Sequence, residues 1–110
     1  MMELDVLHNR IGQLLVNAGP KNSRKLIVFA ALSSEGDSCE YEYDYVDADG
    51  LEDWFIPDKN ASYDLRLLLV ELREYYIKNN LTNGLPVWSK CKIVVDLETM
   101  KINIDFKYED

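Results

Sequence analysis

The stretch Cys39-Glu40-Tyr41-Glu42-Tyr43-Asp44-Tyr45 alternates strictly between cysteine or tyrosine and an acid. Successive side chains of an extended chain point to opposite faces. A strand here sends Cys39, Tyr41, Tyr43 and Tyr45 one way and Glu40, Glu42 and Asp44 the other, so one face belongs to a core and the other carries a row of carboxylates. The surroundings extend the acidic side: residues 35 to 58 hold ten acidic side chains and no Lys or Arg, half of the chain's 20 carboxylates. Like charges held side by side on a strand cost stability. Such a row is either a solvated sheet face or a surface shaped for a basic partner.

Working outward, Leu26 to Leu32 is apolar throughout and bounded by turn residues, which reads as a buried strand. Ser33-Ser34-Glu35-Gly36-Asp37 and Asp47-Ala48-Asp49-Gly50 read as turns on either side of the tyrosine–acid strand, predicted over about 39–46. Leu51 to Ile56 reads as a third strand, stopped by Pro57, and the three make an antiparallel meander. Before them, Leu4, Leu7, Ile11, Leu14, Leu15 and Ala18 form one stripe at helical spacing, predicting a helix over 3–18 that ends at a C-cap Gly19 followed by Pro20. After them, Leu65, Leu68, Leu69, Leu72, Tyr75 and Tyr76 form the stripe of a second helix over 61–80. Asn60 or Ser62 is the expected cap, and Asn79, Asn80, Asn83 and Gly84 break it. Two alternating segments close the chain. Cys91, Ile93, Val95 and Leu97 mark the first, Ile102, Ile104, Phe106 and Tyr108 the second, and Glu98-Thr99-Met100 joins them as a hairpin. The order is α-β-β-β-α-β-β. With few crossover helices, the expected architecture is α+β: one domain over residues 1–110, an antiparallel sheet of about five strands, and both helices on one face.

Charge narrows the function. A net charge of -8 from 20 acids against 12 bases disfavours direct nucleic-acid binding, which depends on Lys and Arg neutralising phosphates, and disfavours an anionic membrane surface. No apolar run approaches the length of a membrane span, and the first residues show no basic segment leading into an apolar one, so the expected location is the cytoplasm. In that reducing compartment Cys39 and Cys91, each in the apolar phase of a strand, read as buried thiols. Chemistry is thinly represented. His8 is the one histidine, and there is no CxxC, HExxH, phosphate loop or nucleophile elbow. Asp47, Asp49 and Glu52 are close enough to consider a cation, but Gly50 comes too early for an EF-hand loop. No cofactor, metal site or catalytic residue is expected. Trp54 beside the acidic turn, and Trp88, are the aromatics that suggest an interface anchor.

Three segments together resemble the YezG-like family of bacterial immunity proteins, the antitoxins of polymorphic toxin systems. They are the tyrosine–acid strand followed by the Leu-rich helix, then Trp88-Ser89-Lys90-Cys91-Lys92-Ile93-Val94-Val95-Asp96, then Lys101-Ile102-Asn103-Ile104-Asp105-Phe106-Lys107-Tyr108-Glu109-Asp110. The resemblance implies a small non-enzymatic α+β protein that binds and neutralises one cognate toxin domain, often a nuclease with a basic cleft. From the charge pattern, the residues expected to meet that partner are Glu40, Glu42 and Asp44 on the strand, Asp47, Asp49, Glu52 and Asp53 around the next turn, and Trp54 as an anchor. A homodimer is compatible with this reading. The rival readings are an acidic adaptor or structural module without a toxin partner, and a small carboxylate- or metal-dependent enzyme.

Overall fold

The computed structural model describes residues 3–82 and 88–107. Its elements are α1 (Leu4–Ala18), β1 (Ser23–Leu32), β2 (Cys39–Asp47), β3 (Glu52–Trp54), α2 (Lys59–Lys78), β4 (Lys90–Asp96) and β5 (Lys101–Lys107). The strands form one antiparallel sheet in the order β3-β2-β1-β4-β5. β1, the most apolar strand, is central.

Both helices lie on one face of the sheet. From α1, Leu7, Ile11 and Leu15 are fully buried, and from α2 so are Leu65, Leu69 and Leu72. They meet the inward phase of the strands: Leu26, Val28, Ala30 and Leu32 on β1, Tyr43 on β2, and Cys91, Ile93 and Val95 on β4. Ring contacts fill the two flanks. Tyr41, Tyr43, Tyr45 and Phe55 form one cluster, with Tyr43 and Phe55 centroids 5.5 Å apart. Trp88 packs on Phe106 at 4.7 Å and Phe106 on Tyr76 at 4.9 Å. Trp88 is therefore a core residue, at 0% exposure, and not an interface anchor.

The predicted segments are found, with shifted ends. α2 begins two residues earlier than its stripe suggests. Its cap is Asp58, whose carboxylate accepts the Asn60 N–H at 2.7 Å, in place of Asn60 or Ser62. Ser62 instead holds β2: the Tyr41 hydroxyl donates to its carbonyl, and Tyr43 shares a hydrogen bond with its hydroxyl, both at 2.8 Å. The expected helix-breaking pair Asn83-Gly84, and Tyr108 in the last alternation, lie outside the described residues. β3 shrinks to three residues, and Leu97 leaves β4 to join a four-residue turn. Gly19 ends α1 with an extended backbone (φ -79°) and not a left-handed one. Its small size is what matters there, since a Cβ would sit 2.6 Å from Leu26 Cδ2. Gly36, at φ +77° in the β1–β2 turn, does need the left-handed region.

Cys91 is buried, as expected, and Cys39 only half-buried, because it opens β2 beside the exposed turn. Both point inward, on strands separated by β1. Strands two apart are about 9–10 Å from each other, beyond the roughly 7 Å Cα separation a disulfide spans. Burial pushes the Cys91 thiol up to about 12 and raises that of Cys39.

Candidate functional site

Among the described residues, none covers the face of the sheet away from the helices. Strand pairing sets its side chains in level rows. Glu40, Ala31 and Lys90 share one; Glu42, Phe29 and Lys92 the next; Asp44, Ile27 and Val94 a third. In the first two rows β2 contributes a carboxylate, β1 an apolar group and β4 an ammonium group; in the third, β4 contributes Val94. On β5, Lys107 pairs with Lys90 and adds a second ammonium, while Asp105 stands opposite Lys92. A shallow groove runs along this face, lined by Phe29, Ala31, Glu40, Glu42, Lys90 and Lys92.

The alternation that defines β2 therefore divides as its sequence implies. The Tyr41 and Tyr43 hydroxyls turn toward α2, and burial raises both above the ordinary phenol value. Glu40 and Glu42 are exposed and Asp44 half-exposed. Among the described residues the three carboxylates form no ion pair; the pair that is present, Arg24 with Glu98, lies at the other end of the sheet. They are held in a row by backbone pairing alone, at the like-charge cost that a cationic partner would relieve.

Other expected contact residues part company. Glu52 stands opposite Val46 and Trp54 opposite Asp44, so both join the outer face at its β3 edge. Trp54 is 66% exposed there. Asp53 stands opposite Tyr45 and faces the helix side; its carboxylate accepts the Trp54 N–H at 2.8 Å. Asp47 is half-buried and builds the β2–β3 turn, accepting the N–H groups of Asp49 and Leu51 at 2.9 and 3.0 Å. Two of the eight expected contact residues are thus drawn off, Asp47 because a tight turn needs an acceptor there and Asp53 because strand phase opposes it. Asp49 remains exposed at the tip of the turn.

Several surface residues escaped the sequence reading. Leu26 to Leu32 reads as buried throughout, yet Phe29 is 41% exposed and Ile27 and Ala31 are half-exposed. With both helices on one side, alternate residues of β1 have nothing to cover them. Ile56, at 81% exposure, lies beside Trp54 at the β3 edge and makes an apolar shoulder beside the acids, and Leu51, just before β3, is 66% exposed. The opposed Lys90 and Lys92 were visible in the β4 alternation, but only sheet order shows that β1 alone separates them from the carboxylates. Lys92 Nζ lies 5.5 Å from the Phe29 ring centroid, a cation–π contact that pins the ammonium over the apolar strip.

Among the described residues, no group of three or more His, Cys, Asp or Glu side chains comes together to hold a metal ion. His8 is half-buried on α1, away from the acidic strand. Among the described residues no helix is long and apolar enough to cross a membrane. A scan against protein-family models gives no match, and neither does a search of curated proteins.

Proposed function

We propose that this protein is an immunity protein, a cytoplasmic antitoxin that binds and neutralises a cognate basic toxin domain, a nuclease being the class whose cleft best suits it. The observation that carries the reading is the unpaired carboxylate row of Glu40, Glu42 and Asp44 on an uncovered sheet face, continued by Glu52 and Asp49. A nuclease cleft is basic because it holds phosphates, and a rigid acidic row can occupy it or cover its rim. The exposed Trp54, with Ile56 beside it, supplies the apolar anchor that affinity needs, since a few well-packed residues carry most binding energy while charge sets encounter rate and partner choice. The resemblance of the tyrosine–acid strand and the two closing strands to YezG-like immunity proteins points the same way.

The test is co-expression with the toxin domain encoded beside this chain. Wild-type protein should form a stable complex and restore growth. Reversing Glu40, Glu42 and Asp44 to Lys should abolish both, with the melting transition retained. A folded triple-Lys variant that still protects cells would remove the carboxylate row from the interface and leave the Trp54 shoulder as the contact.

A further inference from the structure

We propose that the outer face of the sheet is a self-association surface, on which two copies of this chain pack face to face about a two-fold axis parallel to β1. The inference stands apart from the toxin reading and is tested on the isolated protein.

The first ground is the composition of β1. An antiparallel strand with one face in water alternates apolar and polar residues, whereas one apolar on both faces belongs in a sheet covered on both sides. From Leu26 to Leu32 there is no polar residue. The helices cover Leu26, Val28, Ala30 and Leu32, but Ile27, Phe29 and Ala31 lie on the open side. Among the described residues, the chain furnishes one cover of the two that the composition of its central strand calls for.

The second ground is the placement of charge. An axis perpendicular to the strands within the interface would set β2 over β2, acid against acid. An axis along β1 exchanges the flanks instead, and each β2 lies over the β4 of the other copy. Because such an axis preserves position along the strand, the level rows carry over. Glu40 of one copy faces Lys90 of the other, Glu42 faces Lys92, and the two Phe29 rings meet at the centre. Both copies use the same patch, as a closed two-fold dimer requires. Packed sheets cross at about 30° at a spacing of about 10 Å; tilting the axis about 15° from β1 gives that crossing and moves the flanking rows by only a few ångströms, within reach of a lysine.

The third ground is size. Five strands spaced about 4.8 Å apart, averaging about seven residues at about 3.3 Å, give a face of about 24 by 23 Å. Two such faces hide about 1,100 Å², above the roughly 1,000 Å² expected of a specific interface.

Two variants test the geometry. Glu40→Lys with Glu42→Lys makes the two facing rows basic on both sides of β1; Lys90→Glu with Lys92→Glu makes them acidic on both sides. All four residues are exposed, so the fold should survive, which a melting curve checks. In sedimentation or light scattering at low salt, the wild type should move from 12.8 kDa to twice that mass as its concentration rises through the micromolar range. Each variant alone should associate at least about 100-fold more weakly, because like charges then face each other. An equimolar mixture of the two should dimerise again, since every row then sets Lys against Glu. Three results would each overturn the proposal: a wild type that stays monomeric at several hundred micromolar, a dimer indifferent to both reversals, or a mixture that remains monomeric. Should a double variant not fold, the single changes Glu42→Lys and Lys92→Glu repeat the same comparison.

Discussion

Two guanidinium groups on α2 reach back to the β1–β2 turn. Arg66 donates to the Gly36 carbonyl at 2.6 Å, and Arg73 donates to the carbonyls of Ser33 and Ser34 at 2.9 and 3.2 Å. Arg73 is only 8% exposed. Its fork bridges two successive turn carbonyls, that of Ser33 also accepting the Gly36 N–H at 3.0 Å, a geometry an ammonium cannot match. Arg73→Leu should therefore cost about 2–3 kcal/mol, read from urea unfolding, and Arg73→Lys should recover only part of it. His8 gives a pH signature. Burial holds its imidazole below the ordinary 6.5, with the Asp5 carboxylate opposing, and its Nε2 is buried with no partner among the described residues. The unfolded chain then takes up the proton more readily, so stability falls as pH drops below about 6.5 and levels off beneath the folded-state value. His8→Leu should flatten that part of the profile of melting temperature against pH; profiles that stay parallel would place the sensitivity elsewhere. Neither role is visible in sequence. A lone Arg on a helix looks solvent-bound until the turn is folded over it, whereas the phase of Tyr43 against Glu42 follows from the two-residue period of any strand.

At the scale of elements, α2 joins the two aromatic clusters. Its buried stripe of Leu65, Leu69 and Leu72 lies under the sheet, Ser62 at its start holds Tyr41 and Tyr43, and Tyr76 toward its end meets Phe106. Leu69→Asp puts an unpaired carboxylate where exposure is 0%, at a cost of several kcal/mol, comparable with the whole stability of a domain this size. It should abolish the cooperative melting transition, while Glu42→Gln should leave it unchanged. A Leu69→Asp protein that melts like wild type would mean the helix face is misassigned. Long periodic elements were legible because burial of one face sets their pattern: both helices and the two closing strands follow their stripes. Ends were less so. Asp58 wins the cap over Asn60 because the chain leaving Pro57 is extended there, and β3 stops at Trp54 because only Asp44 to Val46 of β2 pair with it. The outer exposure of Phe29 was hidden for another reason: an unbroken apolar run says that both faces avoid water, but not that the chain itself supplies both covers.

For the molecule as a whole, the open face serves two readings that compete for the same carboxylates. A second copy laid over Glu40 and Glu42 hides them from a basic toxin. Toxin association should slow as salt rises, since the screening length falls from about 10 Å at 0.1 M to about 3 Å at 1 M. It should also be faster for the monomeric Lys90→Glu/Lys92→Glu variant, which needs no partner displaced and carries more negative charge. Stopped-flow rates for the two proteins across that salt range check both points; equal, salt-independent rates would detach the acidic face from encounter. The expectation of a cationic partner rests on net charge, which is read directly from the sequence. The division of the face into acidic, apolar and basic strips depends on which strands become neighbours, and sheet order is a property of the folded chain alone.

The two tryptophans sit at opposite extremes of their surroundings, Trp88 at 0% exposure against Phe106 and Trp54 at 66% on the rim of the open face. An indole in a dry, apolar site emits toward the blue and is shielded from dissolved quenchers; one in water emits toward the red and is readily quenched. The chain thus carries two intrinsic optical reporters, well separated in the fold. Trp88 follows the integrity of the core, and Trp54 follows whatever arrives at the β3 edge, so folding and binding can be watched independently in one unlabelled sample.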